Sequence, residues 1–427
     1  MPPETEDAAP SPAALTSTTR QPPSATLRVL GVAAVLYFVA SLAFFTIPRV
    51  DDIIETPVDD TDFQVFYAAS HLIVRGEGGE LYKRNAEVTP EFKIGAGNYF
   101  NPLLFAMLLA PLTLLGAEEA RAVFVLVMLA CALAAVLVIP SIRTNALLAV
   151  AGMLAMATFL PAQESLHLGQ PSLLYALLTA AALSAALRGQ HAAAGWAASL
   201  LVMKPSLALA PLGFLAFLGH KPAIRAAVLG ALVFGAAPFF ILGLGAIRDF
   251  AELLSASRSA AFLYEGHITA GAKYMFNWNG FIARLFQVDP SPVAVFPLYL
   301  VTALLVIKVW SLGDTAASWL AATLGTLLAI PHMLFYDWAI LLPVALVFFA
   351  QRRTIGWGVL LLAVHLAVNL SMVEVLNGPQ NRAFVLATPA AFVLLLALAF
   401  EPQLRWLNAS RLWEERHLAA TAAEATT

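Results

Sequence analysis

Residues 120–140 read ARAVFVLVMLACALAAVLVIP, and from Ala122 to Ile139 the stretch carries no charged side chain. As a helix rising about 1.5 Å per residue, a run of this kind reaches across most of the roughly 30 Å hydrocarbon core of a bilayer. Working outward, comparable apolar runs recur at Leu27–Ile47, Asn145–Leu160, Pro171–Leu187, Ala223–Gly243, Pro292–Trp310, Ala316–Ile330, Ala339–Ala350, Ile355–Val373 and Ala383–Phe400. The shorter runs borrow flanking polar or aromatic positions to complete a span. Composition agrees: 12% of residues are charged and mean hydropathy is +0.78, against about 25% charged residues in soluble proteins. A chain so poor in charge cannot cover itself with polar surface. The expected fold class is therefore all-α, a polytopic membrane helical bundle.

The domain reading follows. Residues 1–26, rich in Pro, Ser, Thr and Ala, read as a disordered cytoplasmic tail. Residues 27–400 form one transmembrane domain, and 401–427 a second cytoplasmic tail. A cleaved signal peptide fits less well, because Leu27–Ile47 exceeds the roughly 7–15 residues of a signal h-region and no small-residue cleavage site follows. The net charge of −3 gives no ground for nucleic-acid binding. The single cysteine, Cys131, excludes an intramolecular disulfide and reads as a packing residue.

Two segments need a decision. Pro102–Leu115 is short for a span, and Ala192–Leu218, interrupted by Lys204-Pro205, reads as a bent helix or two half-helices. Arg143, Arg188, Lys221 with Arg225, Lys308 and Arg352-Arg353 mark candidate cytoplasmic loops. They share one side only if Pro102–Leu115 does not cross and Ala192–Leu218 goes in and returns. That arrangement predicts about 12 membrane segments with both termini inside. It puts the long polar segments 48–101 and 244–290 on the outer side, joined there by the turns at His167–Gln170, Pro331–Asp337 and Glu374–Arg382.

The first outer loop holds ten acids against five bases. Within it, Asp62-Phe63-Gln64-Val65-Phe66-Tyr67-Ala68-Ala69 and the following Leu72 and Val74 place apolar residues at helical spacing, predicting an amphipathic helix on the membrane surface. Asp62 stands at its first turn. It is either a capping carboxylate worth about 1 kcal/mol or a general base. Asp59 and Asp60 read as solvated loop residues or as cation ligands. Lys204 lies in an apolar segment where a charge costs about 2.5–3.5 kcal/mol, so it either faces a cavity or an anion or snorkels to the interface. His332 follows Pro331 in a turn whose Tyr336 and Trp338 suit the interfacial aromatic belt, and Asp337 keeps it company. Lys273 and Arg382 are weaker cationic candidates. His167-Leu168-Gly169-Gln170 and Asn277-Trp278-Asn279-Gly280 offer side chains that either bind sugar hydroxyls or cap helices.

Taken in order, Asp62-Phe63 with Tyr67-Ala68-Ala69 and Gly76, Leu81-Tyr82, Tyr99-Phe100-Asn101-Pro102, Ala110-Pro111-Leu112, Gly169-Gln170, Gly195, Lys204-Pro205, Asn279-Gly280 and Pro331-His332 with Asp337 resemble glycosyltransferase family 87. That family includes phosphatidylinositol-mannoside mannosyltransferases. The resemblance implies a GT-C type bundle with amphipathic helices in the first extracytoplasmic loop. It also implies a polyprenyl-phosphate sugar donor carrying mannose or a related sugar, a lipid or glycan acceptor outside the cytoplasm, and inversion at the anomeric carbon; no cofactor is expected, and no metal is required if cationic side chains hold the leaving phosphate, although Asp59, Asp60 and Asp62 offer oxygen ligands. The chain would then lie in the inner (plasma) membrane, in contact with its lipids, with the active site on the extracytoplasmic face. Asp62 matches the family's general-base aspartate, with His332 as its catalytic companion. Asp60, Tyr67, Gln170, Lys204, Asn279 and Asp337 are the substrate-binding candidates. Asn101-Pro102 departs from the Tyr-Pro or Tyr-x-Pro pattern, and the adjacent acids leave Asp60 as an alternative base. A transporter or flippase of a lipid-linked sugar, and a membrane polysaccharide polymerase or ligase, are the competing readings. The absence of a visible internal repeat and the gathering of charge at one face weigh against the transporter.

Overall fold

The structure is a computed structural model that describes residues 25–82, 99–257, 274–286, 290–330, 333–377 and 386–404. His332, Lys273, Arg382 and most of both tails lie outside the described residues. Among the described residues the chain is helical throughout, and its one strand-like pairing is an isolated bridge between Met275 and Leu334. Six helices are long and apolar enough to cross a membrane: Val32–Glu55, Ala117–Leu137, Lys221–Phe240, Val293–Ser311, Phe335–Arg352 and Ile355–Leu376. They make this a multi-pass membrane protein. A seventh span results if the bent pair Ala146–Ala157 and Leu160–His167 counts as one. The remaining apolar helices, including Ser172–Leu187, Thr315–Ala329 and Ala387–Ala399, are shorter than 18 residues, so the described structure supplies six or seven full-length spans against the 12 segments anticipated.

Burial separates the centre of the bundle from its rim. The most apolar window of Phe335–Arg352 is 78% buried and that of Val32–Glu55 only 11%, which puts Val32–Glu55 against lipid and Phe335–Arg352 in the middle. Thr315–Ala329 is the central post. Its Trp319, Leu320, Leu324, Leu327 and Leu328 are wholly enclosed by Pro205–Phe217, Pro292–Ser311, Leu341–Arg352 and Ala387–Ala399.

Three local features set up the site. Leu103–Leu114 is a helical segment of about 18 Å, too short to cross, as anticipated for Pro102–Leu115. The chain at Lys204-Pro205 divides into His191–Ser199 with a 3-10 extension to Met203, and then Pro205–Phe217, with Lys204 in extended backbone between them. The imidazoles of His191 and His220 stack with centroids 3.8 Å apart, so the two ends of this segment meet and Lys204 is the apex of a hairpin. Small residues seat the first arm of the hairpin on the next helix, Lys221–Gly230: Ala194, Gly195, Ala198 and Ser199 pack on Ala223, Ala226, Ala227 and Gly230, and a Cβ at Gly195 would strike the Ala223 carbonyl.

The third feature is the 56° bend between Ala146–Ala157 and Leu160–His167. Pro161 starts the second piece, and the bend frees backbone groups that lipid cannot satisfy. Buried Asn369 takes up both: its Nδ2 donates to the Thr158 carbonyl at 2.8 Å, and its Oδ1 accepts from the Leu160 amide at 3.0 Å. The short second helix is polar inside. Gln163, Glu164 and Ser165 are all buried, and Glu164 forms an ion pair with Arg49 at the end of the first span.

Candidate active site

The anticipated helix in the first loop runs Phe63–Val74, with Asp62 at its N-cap. Phe63, Phe66, Tyr67 and Leu72 on one face are buried, packed mainly against Leu103–Leu114, so the helix is a bundle element as well as an amphipathic one. The Asp62 carboxylate makes no capping hydrogen bond. It turns away from its own helix, and Oδ2 accepts from Nε2 of Gln170 at 2.6 Å. Asp62 is exposed by surface area, yet burial by surrounding protein is the main influence raising its carboxyl above the ordinary aspartate range. Open surface with crowded surroundings describes a cleft wall. The Gln170 hydrogen bond and, across the cleft, the Lys204 ammonium act in the opposite sense and favour the ionised form.

Lys204 comes to the cleft because the hairpin puts its apex there. Its Nζ is 2.6 Å from Oδ1 of Asp337, forming an ion pair in which Asp337 has no exposed surface and the lysine side chain keeps 18%. The costly buried charge anticipated for Lys204 thus has an anion, and the anion is the protein's own. Asp337 is satisfied further by the Leu334 amide, which donates to Oδ2 at 3.1 Å, with Ser172 Oγ 3.5 Å from Oδ1. Among the described residues, Nζ has no second acceptor, so two of its three N–H groups remain available toward the cleft.

Four of the sequence candidates, Asp62, Gln170, Lys204 and Asp337, therefore converge. Asp337, read from the sequence as the companion of His332, is the partner of Lys204. The others lie elsewhere or have other bonds. Asp60 is an exposed loop residue. Tyr67 is buried, and its hydroxyl donates to the Leu115 carbonyl at 2.7 Å. Asn279 accepts from the Tyr299 hydroxyl at 2.7 Å. Asn277 takes the capping option, accepting from the Gly280 amide at 2.9 Å. Among the described residues no three His, Cys, Asp or Glu side chains converge as metal ligands do.

Sequence reading missed two neighbours. Tyr336 and Trp338 are buried instead of lying in an interfacial belt, because Phe335–Ile340 is a 3-10 turn in the bundle centre. The Tyr336 ring lies under the Lys204 ammonium, 5.1 Å from its centroid, a cation–π contact that helps aim the lysine. Tyr175, one turn into Ser172–Leu187, lies near Asp337, and its buried hydroxyl has no hydrogen-bond partner among the described residues. Tyr175 does not stand out in the sequence, since an aromatic in an apolar run is ordinary packing until its neighbours are known, and Tyr336 drew notice there only as a belt aromatic.

The structure thus brings together a carboxylate that keeps open surface and a lysine ammonium held by a second, buried carboxylate. Residues 99–336 match the model described as Glycosyltransferase family 87, more than half of the chain, and the protein belongs to that family. It is accordingly a membrane glycosyltransferase. No curated protein and no solved structure gave a match to the chain.

Proposed function

We propose that the protein is an inverting GT-C type glycosyltransferase that moves a hexose, mannose or a closely related sugar, from a polyprenyl-phosphate donor to a hydroxyl of a lipid or glycan acceptor. The observation that carries this reading is the Asp62 carboxylate: open to a cleft, bonded among the described residues at Oδ2 alone, and facing the Lys204 ammonium. Oδ1 takes the proton of the acceptor hydroxyl as that oxygen bonds to the anomeric carbon. The bond from that carbon to the phosphate oxygen breaks on the opposite face, its electron pair leaving with the phosphate. General-base help of this kind is worth about 10² to 10⁴ in rate.

Lys204 receives the charge that grows on the leaving phosphate, and its two available N–H groups face the cleft for that purpose. Because Asp337 already neutralises Lys204 formally, a second cationic donor is needed, and His332, five residues before Asp337, is the one we assign. The site lies on the extracytoplasmic face of the plasma membrane in this reading, supported by the basic loops Arg143, Arg188, Lys221 with Arg225 and Arg352-Arg353. The shorter apolar helices bring the total to about 12 membrane segments.

The test compares envelope glycolipids and glycans by mass spectrometry in a strain lacking the protein and in strains restored with the wild type or with Asp62→Asn. One glycan losing a hexose, restored by the wild type and not by an equally expressed Asp62→Asn, supports the reading and identifies the acceptor. Full restoration by Asp62→Asn removes Asp62 as the base. A lipid-linked sugar accumulating with no altered glycan points to the flippase instead.

A further inference from the structure

The turn between Leu160–His167 and Ser172–Leu187 touches both acids of the cleft. Gln170 reaches Asp62, and Ser172, two residues on, lies beside Asp337. The turn is itself held rigidly. Ser165 Oγ donates to the Gln170 carbonyl and the Gln170 amide donates to the Ser165 carbonyl, each at 2.7 Å, with Ser165 wholly buried. Behind it, an Arg121 guanidinium N–H donates to the His167 carbonyl at 3.3 Å and to the Ile53 carbonyl at 2.9 Å.

The turn also grips the start of the Asp62 helix. The Phe63 amide donates to the Leu168 carbonyl at 3.2 Å. Gly169 has φ of +71°, the left-handed region that favours glycine, and a Cβ there would stand 2.5 Å from the Phe63 Cβ. Backbone, side chain and steric contact thus all fix Asp62 relative to one turn 100 residues away in sequence.

Resting on the glycosyltransferase reading above, we propose that Gly169-Gln170 is the positioning device for the base. Gln170 engages Oδ2 of Asp62 and leaves Oδ1 as the proton-accepting atom, while Gly169 seats Phe63 so that the carboxylate faces the cleft. This replaces sugar binding as the role of Gln170. The residue is only 8% exposed and its Nε2 donates to a carboxylate.

The test uses the full-length protein in nanodiscs, radiolabelled polyprenyl-phosphate mannose as donor, and total lipid extract of the deletion strain as acceptor, with transfer followed across pH. The titratable groups that face Asp62 from neighbouring elements are Lys204 of the hairpin and Tyr336 of the central turn, and Asp59 and Asp60 precede it in sequence. All are left intact. Gln170→Ala is expected to lower kcat about 100-fold, the order of loss when a catalytic group is misplaced by about 1 Å, with KM for the donor changed less than 3-fold. It should also move the acid limb of the kcat profile to higher pH, because the carboxylate loses a donor to its ionised form. Gly169→Ala, if it folds, should show the same split.

A residue that merely supported the fold would lower the yield of active protein without moving the acid limb. If Gln170→Ala keeps the wild-type kcat and acid limb while Asp62→Asn is inactive, the positioning role is refuted and the base stands. If Gln170→Ala chiefly raises KM, the side chain binds sugar after all. If Asp62→Asn is as active as wild type, or the wild type transfers no label, the functional reading itself falls.

Discussion

Replacing Lys204 by methionine isolates the contribution of the ion pair at the centre of the molecule. In that variant Asp337, with no exposed surface, keeps the Leu334 amide at 3.1 Å and the long Ser172 contact at 3.5 Å but loses its countercharge. Breaking one side of a buried pair costs about 3–5 kcal/mol. The reverse change, Asp337→Asn, leaves an ammonium whose side chain is 18% exposed. It can recruit water from the cleft, so the loss expected is smaller, about 1–3 kcal/mol. The double variant removes both charges and should cost less than the sum of the single changes by about 1–3 kcal/mol. Denaturation by a graded mole fraction of SDS in one mild detergent, followed by tryptophan fluorescence, measures all four proteins on one scale. Additivity within about 0.5 kcal/mol would show that the two groups do not act as a pair. A larger loss for Asp337→Asn than for Lys204→Met would refute the argument from their unequal burial.

Four further expectations follow from the structure. Asp62→Asn should lose about 10² to 10⁴ in turnover with an unchanged melting temperature, since no helix cap is lost; a matching fall in stability would show that the carboxylate is structural. Burial raises the Asp62 carboxyl, so it takes up its proton at a pH above the ordinary aspartate value of about 3.9. Turnover should therefore decline, as pH falls, earlier than an ordinary aspartate would dictate, and earlier still in Lys204→Gln; a rate profile flat down to pH 4 contradicts this. Asn369→Ala exposes the Thr158 carbonyl and the Leu160 amide without partners inside the bundle, a loss of about 2–6 kcal/mol at about 1–3 kcal/mol each, which a melt in detergent would register. Tyr67→Phe removes one hydrogen bond to the Leu115 carbonyl and should cost about 1 kcal/mol of stability while sparing KM; a several-fold rise in KM would assign its hydroxyl to substrate.

Part of this was legible because it depends on neighbours in sequence. The chargeless run Ala122–Ile139 reads as a membrane helix whatever surrounds it, since the lipid core imposes the requirement. The helix beginning after Asp62 follows from apolar spacing, and the helix break at Lys204 follows from Pro205. The isolation of Lys204 in apolar sequence left a cavity, an anion or snorkelling to the interface as its options, and an anion, Asp337, faces it.

Which anion was a tertiary decision. Lys204 and Asp337 are 133 positions apart, and Asp62 and Gln170 are 108 apart. No local spacing couples such residues, and Asp60, kept as an alternative base in the sequence reading, differs from Asp62 in having no hydrogen bond to Gln170. The hairpin carries Lys204 to the centre, the Gly169 turn presses on Phe63, and the buried 3-10 turn folds Tyr336 inward under the ammonium. The sequence alone determined that this chain is a helical membrane protein with a short polar inventory, because hydrophobic length and helix-breaking residues act locally. The choice of which polar groups meet belonged to the tertiary structure, because a buried charge takes as partner whichever opposite group the packed helices bring within hydrogen-bond reach.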